Sequence, residues 1–148
     1  MRFTALLSAI AIVAVPVLGA NFNVTVGAND DFIFLPDQIS GVLPGDTITF
    51  TFVSRNHSAT TTTFSNPCPP PKGGVGPNGF DTGFHDSASE GDPSVVVTIE
   101  DTEPHFVACM QAAGAHCHRG MTFAINPTED LSYEEFLNNA LNDPIQTF

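Results

Sequence analysis

The segment Cys109-Met110-Gln111-Ala112-Ala113-Gly114-Ala115-His116-Cys117-His118-Arg119-Gly120-Met121 places a thiol, an imidazole and a thioether within one short connection. Two imidazoles and a thiolate can form a trigonal plane around a copper ion, with a distant thioether completing the set. Such a site holds the metal between the preferences of its two oxidation states. Cys109, His116 and Met121 supply three of these four donors, so a second imidazole has to come from elsewhere. His57, in Asn56-His57-Ser58, follows directly on the strongest strand pattern of the chain and stands at a strand end, where a partner to the carboxy-terminal loop is required. A lone histidine or methionine is ordinarily a surface or packing residue. The combination is what points to a metal. His85, His105 and His118 have no matching partner and read as ordinary side chains.

The elements that must position these donors are short. From residue 22 to residue 125 the chain alternates β-rich runs with turn residues, and no helical period is sustained, which predicts an all-β domain. Strands are expected at residues 22–26, 32–34, 47–53, 60–64, 94–99, 104–109 and 121–125. The clearest is Thr47-Ile48-Thr49-Phe50-Thr51-Phe52-Val53, entered through the turn Pro44-Gly45-Asp46. Residues 66–83 are rich in Pro and Gly and predict a long loop, which Cys68 could tie down. After Pro127 the pattern changes. Ser132-Tyr133-Glu134-Glu135 is a capping box, Leu131 and Phe136 are placed as a hydrophobic staple, and Tyr133, Phe136, Leu137, Ala140 and Leu141 keep helical spacing up to Asp143-Pro144. One short, acidic helix packed on the domain is expected over residues 128–148.

Arg2, the apolar run over residues 5–18 and the small Gly19 and Ala20 read as a secretory signal peptide covering residues 1–20, too short for a stable membrane anchor. Residues 21–127 then form the domain, and the expected location is secreted, extracellular or cell wall. With 16 acidic against 4 basic residues and a formal net charge of −12, the chain lacks the cationic face that nucleic acid needs. The same charge favours cationic partners. Cys68, Cys109 and Cys117 enter an oxidising compartment as an odd number. One of them is therefore left for an intermolecular bridge, a free thiol or a metal-held thiolate.

Taken in order, Phe34-Leu35-Pro36-Asp37-Gln38-Ile39, Pro44-Gly45-Asp46-Thr47-Ile48-Thr49-Phe50, Asn56-His57-Ser58, Cys68, Cys109 and His116-Cys117-His118-Arg119-Gly120-Met121, leading into Ile125-Asn126-Pro127, resemble the plant phytocyanins and related secreted fungal cupredoxins. The resemblance implies a cupredoxin-type Greek-key β-sandwich holding one blue (type 1) copper ion, Cu(II)/Cu(I), through His57, Cys109, His116 and Met121. It also implies a disulfide between Cys68 and Cys117, which leaves Cys109 as the thiolate. Six residues separate Cys109 from His116, where phytocyanins usually have four, so the ligand loop is longer here.

Four protein donors leave no open position on the metal, so the expected role is one-electron transfer rather than catalysis. Ala112, Ala113, Gly114 and Ala115 would provide a small apolar docking patch beside His116 for an extracellular redox partner of a monomeric protein. The His116-Cys117-His118 triplet resembles that of multicopper oxidases, but a trinuclear cluster needs several further His pairs and the chain has 5 histidines. The competing expectation is a copper-sequestering or cell-wall module on the same fold. Asn23-Val24-Thr25 is a glycosylation sequon.

Overall fold

The computed structural model describes residues 19–144, so the expected signal peptide lies outside the described residues apart from Gly19 and Ala20. In chain order the elements are β1 (Asn21–Val26), β2 (Phe34–Leu35), β3 (Gln38–Ile39), β4 (Thr47–Phe52), β5 (Asn56–His57), β6 (Thr60–Thr62), β7 (His85–Asp86), α1 (Ser87–Glu90), β8 (Ser94–Thr98), β9 (His105–Ala108), β10 (Thr122–Ile125) and α2 (Tyr133–Asn142). Two four-stranded sheets, ordered β2-β1-β4-β8 and β3-β10-β9-β6, face each other, and β5 and β7 form a separate pair.

Period-two alternation builds the interface between the sheets. In β4, Ile48, Phe50 and Phe52 turn inward and are fully buried. Between them, Thr47 and Thr49 turn outward to Asn21, and Thr51 to Ser94. β4 pairs in parallel with β1 from Asn21↔Thr47 to Val26↔Phe52, and antiparallel with β8. Phe50 is ringed by Phe34, Phe80 and Phe123, with centroids 5.7 to 6.4 Å away. Emptying such a buried aromatic position costs about 3–5 kcal/mol.

All four residues of β10 are buried because its sheet is covered on both sides. Phe123 and Ile125 enter the core between the sheets, while Ala124 packs with Phe106, Tyr133 and Phe136 beneath α2. The Ser132 hydroxyl caps α2 by accepting from the Glu135 N–H at 3.2 Å. Leu131 stays exposed, so the helix is anchored by the buried Phe136 ring against Phe106 and Phe64, at 4.7 and 6.2 Å.

The structure departs from the sequence expectations in three places. The expected strand at residues 32–34 begins only at Phe34. A 3-10 turn over Ala28–Asp30 has Asn29 and Asp30 at positive φ and sends Phe32 toward the His116 ring instead. The two-residue strands β3, β5 and β7 and the single-turn α1 were not expected. The long loop is fastened by polar contacts as well as by Cys68: Asp81 accepts from Thr60, Gly73 and Gly83, and the Thr61 hydroxyl accepts from the Val75 and Phe80 N–H groups.

Candidate metal centre

Three chain segments meet at one end of the sandwich. β4 ends at Phe52, the chain turns through Arg55 at positive φ, and β5 pairs His57 with His85 of β7. β9 delivers Cys109 immediately after Ala108, where the Cys109 N–H donates to the Met121 carbonyl at 3.2 Å. A loop with Ala112 and Ala113 at positive φ then brings His116 back, and the Met121 N–H donates to the His116 carbonyl at 3.0 Å. Cys109 and Met121 are both fully buried in the inter-sheet core.

The structure therefore brings His57, Cys109 and His116 together as a single cluster. The two Nδ1 atoms lie 3.2 Å apart, and Cys109 Sγ lies 3.8 Å from Nδ1 of His57 and 3.6 Å from Nδ1 of His116. Edges of these lengths enclose a point about 2 Å from all three atoms, the bond length of a first-row metal ion to an imidazole nitrogen. The donor chemistry fits the same conclusion: two imidazoles and a thiol with a thioether alongside suit copper. Met121 is adjacent through its backbone bonds to both Cys109 and His116.

The surroundings prepare these donors. The Ser58 and Gln111 N–H groups both point at Cys109 Sγ from 3.4 Å, and the Ser58 hydroxyl accepts from the Met110 N–H at 3.0 Å. Burial pushes the Cys109 thiol pKa up, opposed by those two donors. Burial, then the neighbouring His116 and Arg55, push His57 down to about 4. His116 is also lowered, first by burial and then by Arg55 and Arg119. Both imidazoles are thus neutral at neutral pH, the form a metal requires.

His57 is seated by Gly27. This glycine has φ +79°, and a Cβ there would lie 3.0 Å from both Cδ2 and Nε2 of the His57 ring and 2.5 Å from Ser54 Oγ. The Ser54 hydroxyl donates to the Gly27 carbonyl at 2.6 Å, and His57 Nε2 is buried there without a hydrogen-bond partner. On the outer side, Phe32 packs at a tilt on the half-buried His116 ring, with centroids 4.3 Å apart, and the Arg55 and Arg119 guanidiniums lie 4.9 and 4.7 Å from the Phe32 centroid. Gly27, Phe32 and both arginines escaped the sequence reading. Among them only Arg119 carried a signal, its place inside the donor segment.

Of the other histidines, His85 bridges Glu90 and the Thr82 carbonyl and His105 pairs with Asp101 at 2.8 Å, whereas His118 is half-buried within the 3-10 turn Cys117–Arg119. Cys68 and Cys117 are joined as a disulfide and Cys109 is free. In the expected apolar patch Ala112, Ala113 and Ala115 are exposed, but Gly114 is buried against Pro69 and belongs to the packing. Asn23 is exposed on β1.

No family model and no curated protein sequence matches the chain. Solved structures do resemble it. Native pseudoazurin from Hyphomicrobium denitrificans superposes with TM-score 0.52 at 18% identity, covering 86% of this chain and 100% of that one. Dithionite-reduced auracyanin from the photosynthetic bacterium Roseiflexus castenholzii gives 0.50 at 15% identity, covering 72% and 97%. The two-sheet arrangement, the short carboxy-terminal helix and these likenesses together show that the chain has the cupredoxin fold.

Proposed function

We propose that this protein is a secreted, phytocyanin-like type 1 copper protein that transfers single electrons and catalyses no reaction. The observation that carries the reading is the donor triangle: two Nδ1 atoms and one buried, unpaired thiol around a common point. Copper held there would cycle between Cu(II) and Cu(I), one ion per chain. Cys109 provides the thiolate, and the N–H groups of Ser58 and Gln111 stabilise its charge. His57 and His116 offer neutral imidazoles, and Met121 stands as the distant fourth donor. All but His116 are fully buried, which keeps water from the site and leaves the half-exposed His116 ring as the electronic contact with the outside.

A packed surround of this kind resists rearrangement between oxidation states, a property that electron transfer requires and storage does not. A redox partner outside the cell, Asn23 as a glycan carrier and a monomeric state complete the proposal. The test is addition of Cu(II) to the mature, reduced-thiol protein. An intense visible thiolate-to-copper band, lost in Cys109→Ser, together with reversible electrochemical cycling, is the expected result. A colourless folded protein refutes the copper assignment, and a band that disappears with metal loss on each reduction favours copper sequestration instead.

A further inference from the structure

The surface over His116 does not share the charge character of the whole molecule. Against a formal net charge of −12, the described residues hold three Lys or Arg side chains, and two of them, Arg55 and Arg119, sit beside the Phe32 ring that covers His116. They are not equivalent. Arg55 is committed to Asp30, its Nε donating to Oδ1 at 2.8 Å and its Nη2 to the Asp30 carbonyl at 2.8 Å. Arg119 is exposed and makes no side-chain hydrogen bond or ion pair among the described residues. The nearby Asp31 carboxylate accepts from the Phe32 N–H.

We propose that Arg119, held on the Phe32 platform next to Arg55, is the contact point for a redox partner that presents carboxylates to the His116 edge. This deepens the electron-transfer reading and rests on it. An aromatic face orients a guanidinium while leaving its in-plane N–H groups free, and those match a carboxylate two at a time. The exposed Ala112, Ala113 and Ala115 next to His116 are small enough to let a partner surface approach closely. The net charge repels an acidic partner at long range, so attraction acts only when its carboxylates face Arg119. That geometry selects orientation more than it speeds encounter. The partner suggested by net charge alone, a cationic one, is thus the opposite of the partner suggested by the contact edge.

Arg119→Gln and Thr98→Glu each make the net charge more negative by one. Thr98 is exposed and pairs with Thr47, at the end of the sheet opposite Phe52 and the donor cluster. In the first arm, the metal-free protein is titrated with redox-inert hexacyanocobaltate(III) and followed by amide NMR. Shifts centred on Phe32, Ala113 and Arg119, lost in Arg119→Gln and kept in Thr98→Glu, are expected. Shifts centred on Lys72 or spread over the surface overturn the proposal.

In the second arm, the copper-loaded proteins are reduced to Cu(I), and each then gives one electron to hexacyanoferrate(III), which becomes hexacyanoferrate(II). Arg119→Gln should be slowed about fivefold more than Thr98→Glu, the effect of one charge at contact range from a trianion after screening. Equal slowing of the two variants means that only net charge matters and overturns the contact site. If no copper-loaded form cycles, the electron-transfer reading and the redox role of this surface fall together, while the first arm still decides whether the anion contact exists.

Discussion

Replacing Gly27 by alanine tests whether the backbone under His57 sets the donor triangle. A backbone cost adds to the steric ones, and Gly41 isolates it. Gly41 has φ +77°, close to the +79° of Gly27, but nothing lies within 4 Å of its Cβ position. Gly41→Ala therefore reports the left-handed backbone cost alone, about 1 kcal/mol. Gly27→Ala adds a methyl that meets Ser54 Oγ at 2.5 Å and the His57 ring at 3.0 Å. Overpacking adds about 1–3 kcal/mol. Disturbing the Ser54 hydrogen bond adds about 1 kcal/mol more.

The expected total for Gly27→Ala is about 3–5 kcal/mol, read from urea unfolding of the metal-free protein with unchanged slope. Because the methyl presses on the Nε2 side of the ring, relief moves the opposite Nδ1 edge relative to Cys109 and His116. The copper-loaded variant should accordingly show an altered thiolate-to-copper band, while Gly41→Ala keeps the wild-type spectrum. Equal stability losses in the two variants, with identical spectra, would refute the claim that Gly27 seats His57.

Two further outcomes are expected. Phe136→Ala removes the ring that anchors α2 on Phe106 and Phe64 and should cost about 3–5 kcal/mol, seen as a lower urea midpoint of the metal-free protein. Acidification should weaken the metal-free fold, because His57 is lowered to about 4 when folded but titrates near 6.5 when unfolded, so the unfolded chain binds more protons in that window. The contribution is fully present above pH 6.5 and falls by about 2.5 kcal/mol on reaching pH 4.5. Urea midpoints at the two pH values check it, and a smaller pH effect in His57→Gln identifies the group.

Most of the His57, Cys109 and His116 cluster was legible because its information is local. Cys109 and His116 lie in one segment, and the odd cysteine count asks for a thiol with a separate fate. The β4 strand was legible because its Thr and Ile/Phe residues alternate without interruption. What stayed hidden depends on the far side of a contact. Two-residue strands such as β5 and β7 carry no periodicity, and His57↔His85 pairing exists only because two distant loops are brought together. Nothing in Gly27-Ala28-Asn29 announces that an imidazole from another segment rests on the glycine. Net charge likewise averages over the surface and conceals that two arginines gather at one ring.

The disulfide described above also sorts the three cysteines into two kinds. Cys117 adjoins the donor His116, its partner Cys68 donates its N–H to the Asp143 carboxylate at 2.8 Å, and Ala140 of α2 packs with the same two sulfurs. Helix α2 therefore closes over the bridge beside the loop that carries Cys109 and His116. With the bridge open, Cys68, Cys109 and Cys117 would be three thiols, and an ion would meet a choice of sulfurs. Once α2 has docked and the bridge has closed, one thiol remains. Closing one bridge beneath α2 is thus what singles out Cys109 among the three sulfurs.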